Sequence, residues 1–263
     1  MKRQTFVLIV FLILLAEGAV FSFVYFNHQV ETEELVDVSV LRTARPLKAP
    51  PILAQTEESF LTVPEPKIER LILSVPLYYQ QHSLSCEVAA LRMALAGLGV
   101  NLSESDLIEK MPINPAPRSI DNTWSDPDKE FVGSIDGAQN TTGYGVYWPV
   151  LTKLVQEWRP DSVGYRGATY ADVIRELKAG HPVIYWGSVE GNPRPDNWRT
   201  SEGKEVKAWS GEHARTIVGY QGLSSSTPSQ LIVNDPTYGR IVVSKSAFMR
   251  DWAHFDNSLV VVI

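Results

Sequence analysis

The pattern of apolar and polar positions divides the chain into three segments. Residues 6–26 form an apolar run that is broken only by one glutamate and a few small residues, and this run is long enough to span a bilayer as a helix. The acidic, proline-dotted stretch that follows shows neither strand nor helix periodicity. We therefore expect a transmembrane signal anchor over 1–27, a flexible linker over 28–70 and a globular domain over 71–263.

Helical patterns come first within the predicted domain. After Cys86, the only cysteine, apolar residues recur at helical spacing at Val88, Leu91, Leu95 and Leu98, which predicts a helix that begins at Cys86. Ser103 has the position of an N-cap for a second helix. Pro149 suits the first turn of a third helix. Thr169 and Gly180 are the expected start and stop signals of a fourth helix.

Strand patterns dominate the C-terminal half. Apolar stretches predict strands over 182–187, 213–221, 231–236, 239–244 and 258–263, with a short helix over 246–255. Helices followed by strands predict an α+β fold, in which a helical half packs against an antiparallel sheet. Two polar, turn-rich stretches, 112–146 and 188–210, are expected to be long loops, and their length makes them candidates for substrate selection.

The charge distribution narrows the range of partners and compartments. The formal net charge is −6 and no basic block follows the first residues, so nucleic acid is not an expected partner. Lys2 and Arg3 precede the apolar run, and acidic residues follow it, which predicts a cytoplasmic N-terminus and an extracytoplasmic domain. The sequence after the run is a poor signal-peptidase site, so we expect a single-pass anchor at a bacterial cell surface; secretion after signal cleavage is the alternative.

Four residues fit the requirements of a thiol hydrolase. The N-terminus of a helix is expected to lower the pKa of the Cys86 thiol. Gln80 lies six residues earlier, near enough for its amide to join the Cys86 N–H as an oxyanion hole. His213 begins a predicted strand and Asp235 ends the next one, so a hairpin would bring Asp235 to the far ring nitrogen of His213.

Simpler interpretations of the same residues remain open. A lone cysteine before an apolar helix is commonly a buried core residue, and one cysteine excludes an intramolecular disulfide. His82 is a rival base, although a near neighbour in a loop seldom aims its ring at the thiol. The acidic residues Asp126, Asp128 and Glu130 lack the spacing of a calcium loop. No Cys/His cluster fits zinc, so we predict no metal and no cofactor.

Six segments in order carry a family resemblance. They are VPLYYQQHSLSCEVAALRMAL, DPDKEFVGS, GYGVYWPVL, LKAGHPVIYW, GEHARTIVGYQG and VNDPTYG, and they extend over about 71–245. Together they resemble the exported relatives of the double-glycine (bacteriocin-leader) peptidases, a branch of the papain-like cysteine peptidases. The resemblance implies a papain-like fold. It also implies Gln80 as oxyanion donor, Cys86 as nucleophile, His213 as general base and acid, and Asp235 as the orienting acid.

One position departs from the family pattern. Many relatives have Gly-Pro after the cysteine, whereas Glu87 and Val88 follow it here. A carboxylate at this position favours the helix dipole but opposes formation of the thiolate. We therefore expect Glu87 to point away from His213.

These inferences favour one function and leave two alternatives. We expect a membrane-anchored, extracytoplasmic cysteine peptidase that cleaves an amide bond of a peptide or protein substrate through a Cys86 acyl-enzyme. An acyl or peptidyl transferase would use the same acyl-enzyme and resolve it with an amine. A catalytically silent module would bind peptide or cell-envelope material in the same cleft, and its function would survive Cys86→Ala.

Overall fold

The C-terminal part of the chain is built around one antiparallel sheet. The computed structural model describes residues 67–224 and 226–263, so the predicted anchor over 1–27 lies outside the described residues, as does most of the predicted linker. Within the described residues, no helix has the length and apolar character needed to cross a bilayer. These residues belong to a compact unit, Val63–Ile263.

Five α-helices form among the described residues of this unit. They are α1 (Cys86–Gly97), α2 (Glu104–Lys110), α3 (Trp148–Val155), α4 (Tyr170–Ala179) and α5 (Lys245–Trp252), the last extended by a 3₁₀ turn, Ala253–Phe255. The N-caps predicted at Ser103 and Thr169 are confirmed, because each side chain accepts a backbone N–H and forms a reciprocal capping box. Gly180 ends α4 with a φ of 93°, which a residue without a Cβ adopts at little cost.

Eleven strands are described, and seven of them form the main sheet. In chain order they are β1 (Glu69–Ile72), β2 (Ile113–Asn114), β3 (Phe131–Val132), β4 (Val163–Tyr165), β5 (Val183–Ser188), β6 (Trp198–Arg199), β7 (Glu205–Val206), β8 (Glu212–Gly222), β9 (Gln230–Asp235), β10 (Gly239–Ser244) and β11 (Leu259–Val261). The main sheet has the order β10-β9-β8-β5-β11-β4, and β1 also pairs with β8. All of its pairings are antiparallel, which confirms the predicted α+β architecture.

Helices cover both faces of this sheet. Ile184 and Trp186 of β5 pack with α1 and α3 in one apolar cluster, whereas Val183 and Tyr185 pack with α4 and α5 in another. Alternate residues of a strand point to opposite faces, and all six residues of β5 are buried. The central strand is therefore apolar on both sides, and each face needs a helical layer to exclude water.

The two predicted long loops fold against each other. Short pairings order them, with β2 parallel to β3 in one loop and β6 antiparallel to β7 in the other. Trp124 and Trp198 lie in a shared apolar cluster with ring centroids 5.3 Å apart. Arg118 Nη1 binds both carboxylate oxygens of Asp196 at 2.8 Å. The loops thus form a structured rim rather than free chain.

Candidate active site

The contact between helix α1 and strand β8 places the thiol. Thr216 Oγ1 of β8 donates to the Ala90 carbonyl of α1 at 2.8 Å. The Ala214 N–H of the same strand reaches Cys86 Sγ at 3.4 Å. Cys86 is only 5% exposed, because α1 lies with this end against the sheet. The thiol is therefore buried at the helix–sheet junction, at the first residue of α1.

His213 and Asp235 meet across neighbouring strands. Strands β8 and β9 pair as an antiparallel hairpin, and His213 Nε2 lies 2.9 Å from Asp235 Oδ1. The same oxygen accepts the backbone N–H groups of Thr237 at 2.8 Å and Tyr238 at 3.0 Å. The turn after β9 therefore fixes the carboxylate, and the carboxylate fixes the imidazole.

Arg215 completes this charged group. Its Nε donates to Asp235 Oδ2 at 2.5 Å, and its guanidinium also donates to the Ser188 carbonyl. Burial raises the pKa of Asp235, but the hydrogen bond from His213 and the charge of Arg215 outweigh it and leave this pKa well below its usual range. Burial lowers the pKa of His213, against the opposing effect of Asp235. His213 is therefore held neutral more readily than a free histidine.

Two buried carboxyl groups flank the thiol on the other side. Glu87 Oε2 lies 3.2 Å from Cys86 Sγ, and Glu87 Oε1 accepts the Val146 N–H at 2.6 Å. Glu212 is 2% exposed, and neither of its carboxylate oxygens has a hydrogen-bond partner among the described residues. Burial raises the pKa of Glu87 to about 7, and burial together with Glu87 raises that of Glu212 well above its usual range.

The predicted lowering of the Cys86 pKa is wrong for this arrangement. Burial raises the thiol pKa, the charges of Glu87 and Glu212 raise it further, and the Ala214 N–H lowers it only in part. The lowering effect of the helix N-terminus on the thiol pKa is thus outweighed by desolvation and by the two neighbouring carboxylates. Glu87 accepts the Val146 N–H and contacts the thiol itself. The prediction that Glu87 points away from His213 did not include these two contacts.

A small cavity is lined by three of the four predicted site residues, and the fourth, Asp235, contacts His213 outside this lining. The cavity has a volume of about 100 Å³, and its lining includes Gln80, Cys86, Glu212, His213 and Thr237. The amide Nε2 of Gln80 donates to the carbonyls of residues 82 and 83, at 2.8 and 2.9 Å, and its Oε1 accepts from Thr237 Oγ1 at 3.1 Å. Gln80 therefore reaches the cavity, with its amide engaged by its own loop.

The other described histidines lie elsewhere. His82 Nδ1 pairs with Asp136 at 2.9 Å, His181 pairs with Glu176, and the His254 ring packs edge-on against Trp209. Within the described part of the chain, His213 alone among the histidines lines the Cys86 cavity. The rival base His82 is thus engaged by a carboxylate in a different part of the structure.

A second, larger cavity of about 340 Å³ is lined by Tyr147, the loop rim and the 3₁₀ turn. Its acidic residues Asp126 and Asp128 bind the ammonium of Lys204, at 2.8 and 3.1 Å. Two of the three residues that we considered as a calcium loop thus share one ammonium group. The cavity contains no cysteine.

Sequence reasoning missed the roles of Glu212 and Arg215. Both belong to the stretch GEHAR around His213. Because alternate residues of a strand share a face, Arg215 lies on the face of His213, whereas Glu212 lies with Ala214 on the face toward Cys86. This alternation is the signal by which both could be found.

Comparisons with known proteins concern the family and the fold. A family model described as the Peptidase_C39 like family matches residues 72–260, whereas a search of curated proteins finds no match. A crystal structure described as a C39-like peptidase from Bacillus anthracis is 24% identical with a TM-score of 0.63, over 74% of this chain and 98% of the other.

Two further solved structures are less similar. A double glycine motif protease from an AMS/PCAT transporter, in complex with the leader peptide, is 15% identical with a TM-score of 0.38, over 73% of this chain and 91% of the other. The peptidase domain of Streptococcus ComA is 14% identical with a TM-score of 0.40, over 71% and 96%. The likeness to the Bacillus structure confirms the predicted fold class, and the family match covers well over half of the sequence. The chain therefore belongs to the Peptidase_C39 like family, a family of cysteine peptidases.

Proposed function

We propose that this cysteine peptidase uses Cys86 as nucleophile, His213 as proton carrier and Asp235 as the group that orients His213. The proposal rests on the 2.9 Å contact of His213 Nε2 with Asp235 Oδ1 and on the cavity that His213 and Cys86 both line. This contact leaves Nδ1 as the ring nitrogen that can exchange a proton with the thiol. The substrate class that the family supports is a peptide.

The reaction follows from these positions. The Cys86 sulfur attacks the amide carbonyl while its proton passes to His213 Nδ1, and a carbon–sulfur bond forms. The carbon–nitrogen bond then breaks as the imidazolium returns the proton to the leaving amine. Water attacks the acyl-enzyme, His213 takes a proton from it, and the thiol leaves with that proton. Asp235 stabilises the imidazolium at each stage.

Burial and the two glutamates favour a neutral thiol before substrate binds. Both effects raise the thiol pKa, and the pKa of His213 is lowered, so a standing thiolate–imidazolium pair is disfavoured. We propose that proton transfer accompanies attack instead of preceding it. The peptide carbonyl would draw Sγ away from Glu87 and toward His213.

Gln80 is the proposed side-chain donor to the oxyanion. Its backbone N–H donates to the Pro236 carbonyl at 3.0 Å, and its side chain accepts from Thr237, so it is tied to the turn that holds Asp235. To serve as a donor, its amide must exchange the carbonyls that it binds now for the substrate oxyanion. Removal of one oxyanion donor commonly lowers the turnover rate by about 10²–10³.

Covalent trapping tests the proposal and does not require the natural substrate. A set of short peptides ending in an electrophilic aldehyde or vinyl sulfone is incubated with the full-length chain, and adducts are located by mass spectrometry. We expect adducts on Cys86, formed at rates that fall at least 10-fold in His213→Ala. Iodoacetamide labelling of the unfolded variants controls for thiol content.

Equal labelling of the folded chain and of His213→Ala would contradict the proposed proton transfer. Peptide binding that is unchanged in Cys86→Ala, without any adduct in the folded wild type, would favour a silent binding module. For adduct-forming peptides converted to amide substrates, an added amine acceptor separates hydrolysis from acyl transfer by the product that appears.

We further propose that residues 6–26 anchor the enzyme in a bacterial membrane with its domain on the outer side. The apolar run and the basic residues before it support this. The measurement is the distribution of the full-length chain between membrane and soluble fractions, and its digestion by protease added to intact cells. Recovery in the soluble fraction, or protection in intact cells, would contradict it.

A further inference from the structure

Glu212 poses an electrostatic problem beside the nucleophile. Its carboxyl group is buried at 2% exposure, and both oxygens lack a hydrogen-bond partner among the described residues. An unpaired buried charge costs several kcal/mol in principle, so the group must hold a proton or face a cation. It lines the cavity at Cys86, which gives a cation a route to it.

The nearby cations and donors are committed elsewhere. Arg215 directs its Nε to Asp235 and another nitrogen to the Ser188 carbonyl. The Val146 N–H binds Glu87 at 2.6 Å. Gln139 donates to the backbone carbonyl of Glu212 at 2.8 Å, which fixes the main chain and leaves the carboxyl group without a donor.

Three donor atoms converge at this point. Cys86 Sγ, one oxygen of Glu87 and one oxygen of Glu212 all lie within 4.8 Å of one another, and all three residues are buried. Zinc bonds of about 2.0–2.3 Å place tetrahedral sulfur and oxygen donors about 3.3–3.5 Å apart, so side-chain shifts of roughly 1–1.5 Å close the set. Gly145 contributes no side chain here, and a Cβ on it would overlap Glu87 and Glu212.

We infer that Cys86, Glu87 and Glu212 form a binding site for a thiophilic divalent cation of the zinc class. A thiolate with two carboxylates suits Zn²⁺, whereas Mg²⁺ and Ca²⁺ prefer oxygen donors alone. Binding releases the thiol proton and any proton shared by the two carboxyl groups to solvent. The cavity leaves the fourth position open to water.

Occupation of this site consumes the nucleophile. A thiolate bound to zinc cannot attack a carbonyl, so the cation acts as a reversible inhibitor. This consequence rests on the proposed function, whereas the binding itself does not. The site differs from a thiolate–imidazole zinc site, because its other two donors are the carboxyl groups of Glu87 and Glu212 and His213 is not one of them.

The test measures metal binding directly on the full-length chain. After chelator treatment and removal of the chelator, the chain is titrated with Co²⁺, and the sulfur-to-cobalt charge-transfer band is recorded. Zn²⁺ affinity is then obtained by competition with a chromophoric zinc indicator. We expect one ion per chain, a charge-transfer band that Cys86→Ser abolishes, and at least a 10-fold loss of Zn²⁺ affinity in Glu212→Gln.

Glu87→Gln provides the second ligand variant, with the same expected loss of affinity. His213→Ala is the matched control, because it removes the nearby imidazole, which is another possible zinc ligand, and leaves the three proposed donors. Its band and affinity are expected to persist, and circular dichroism verifies that each variant is folded. Exposed Glu205→Gln controls for nonspecific binding to surface carboxylates.

Two results would overturn the inference. One is the absence of a charge-transfer band in the folded wild-type chain. The other is a band that His213→Ala removes while Glu212→Gln and Glu87→Gln leave Zn²⁺ affinity unchanged. Neither result depends on peptidase activity, so failure of the metal site and failure of the proposed function are distinguishable.

Discussion

Arg215 Nε donates to Asp235 Oδ2 at 2.5 Å, on the oxygen that His213 leaves free. The carboxylate thus receives a neutral ring on one side and a permanent cation on the other. Because all three side chains are buried, water screens this arrangement little. The buried arginine holds Asp235 ionised, and the ionised carboxylate in turn holds the ring of His213.

Arg215→Met is expected to raise the pKa of Asp235 and to destabilise the fold by about 3 kcal/mol, because it leaves a buried carboxylate with one charged neighbour fewer. A carboxyl group with a depressed native pKa stabilises the fold above its unfolded pKa of about 3.9, and this stability is lost as the pH falls through the native value. Acid unfolding of the variant should therefore begin at higher pH, as followed by circular dichroism.

Arg240→Met is the matched control. Arg240 is exposed on β10 and binds Asn234 of β9 at 2.8 Å and the Val75 carbonyl at 2.9 Å, so this variant also loses an arginine's hydrogen bonds to buried residues. It removes no donor of Asp235, and its acid midpoint should move less than that of Arg215→Met. Equal shifts in the two variants would argue against a specific Arg215–Asp235 coupling.

Asp235→Asn should lower both the reactivity of Cys86 and the stability of the fold, for a reason specific to this chain. An amide has one acceptor oxygen, and if that oxygen faces His213, Thr237 and Tyr238, the amide NH₂ is left against Arg215 Nε. We expect the labelling rate of Cys86 to fall at least 10-fold and stability to fall by about 2 kcal/mol.

In the double variant with Arg215→Met the two donors no longer face each other. A double-mutant cycle in urea should therefore give a coupling of roughly 1 kcal/mol or more, and additive costs would refute this conflict.

Gly145→Ala should disrupt the carboxyl pair. A Cβ there would overlap Glu87 Oε1 and lie 2.8 Å from Glu212 Oε2, and the φ of 151° disfavours a side chain. We expect a loss of about 1–3 kcal/mol in unfolding free energy. Gly167→Ala is the control, since its φ of 76° is also unfavourable but open space surrounds it. A loss no larger than that of the control would contradict the close packing of the pair.

Arg118→Met should loosen the loop rim. Arg118 joins residues 112–146 to residues 188–210 through Asp196 and through the Asn197 carbonyl at 2.9 Å. We expect faster amide hydrogen exchange and faster proteolysis around Trp198, with a stability cost of about 1–3 kcal/mol.

Arg199→Met, which removes an exposed ion pair with Glu205, should change stability by less than about 1 kcal/mol. Unchanged exchange in Arg118→Met would show that the aromatic cluster holds the rim without it.

Local signals made the helices predictable. Ser103, Thr169 and Gly180 act through bonds to residues three or four positions away, so their roles can be read from short stretches of sequence. The apolar blocks of β5, β8 and β9 were equally clear. The two-residue strands of the loop rim carry no such signal, because their pairing is set by the aromatic cluster that they surround.

The site was predictable only in part for the same reason. His213 and Asp235 could be paired from the order of two strands, whereas the partner of Glu87 depends on where residue 146 of another segment passes. The raised pKa of Cys86 arises from burial, from the adjacent Glu87 and from Glu212, which lies 126 positions along the chain. The helix N-terminus can be predicted from the sequence, but by itself it gave the wrong direction for the pKa shift of the thiol.

The contact between Cys86 and the Ala214 N–H joins residues 128 positions apart. Contacts of such long sequence separation form only after much of the chain has been brought together. Helix α1 can form early from local interactions, but its thiol then has neither His213 nor Glu212 beside it and no cavity. The proposed site is therefore assembled only when the strands of the sheet have paired, so a chain still emerging from the ribosome has no such site with which to cleave its neighbours.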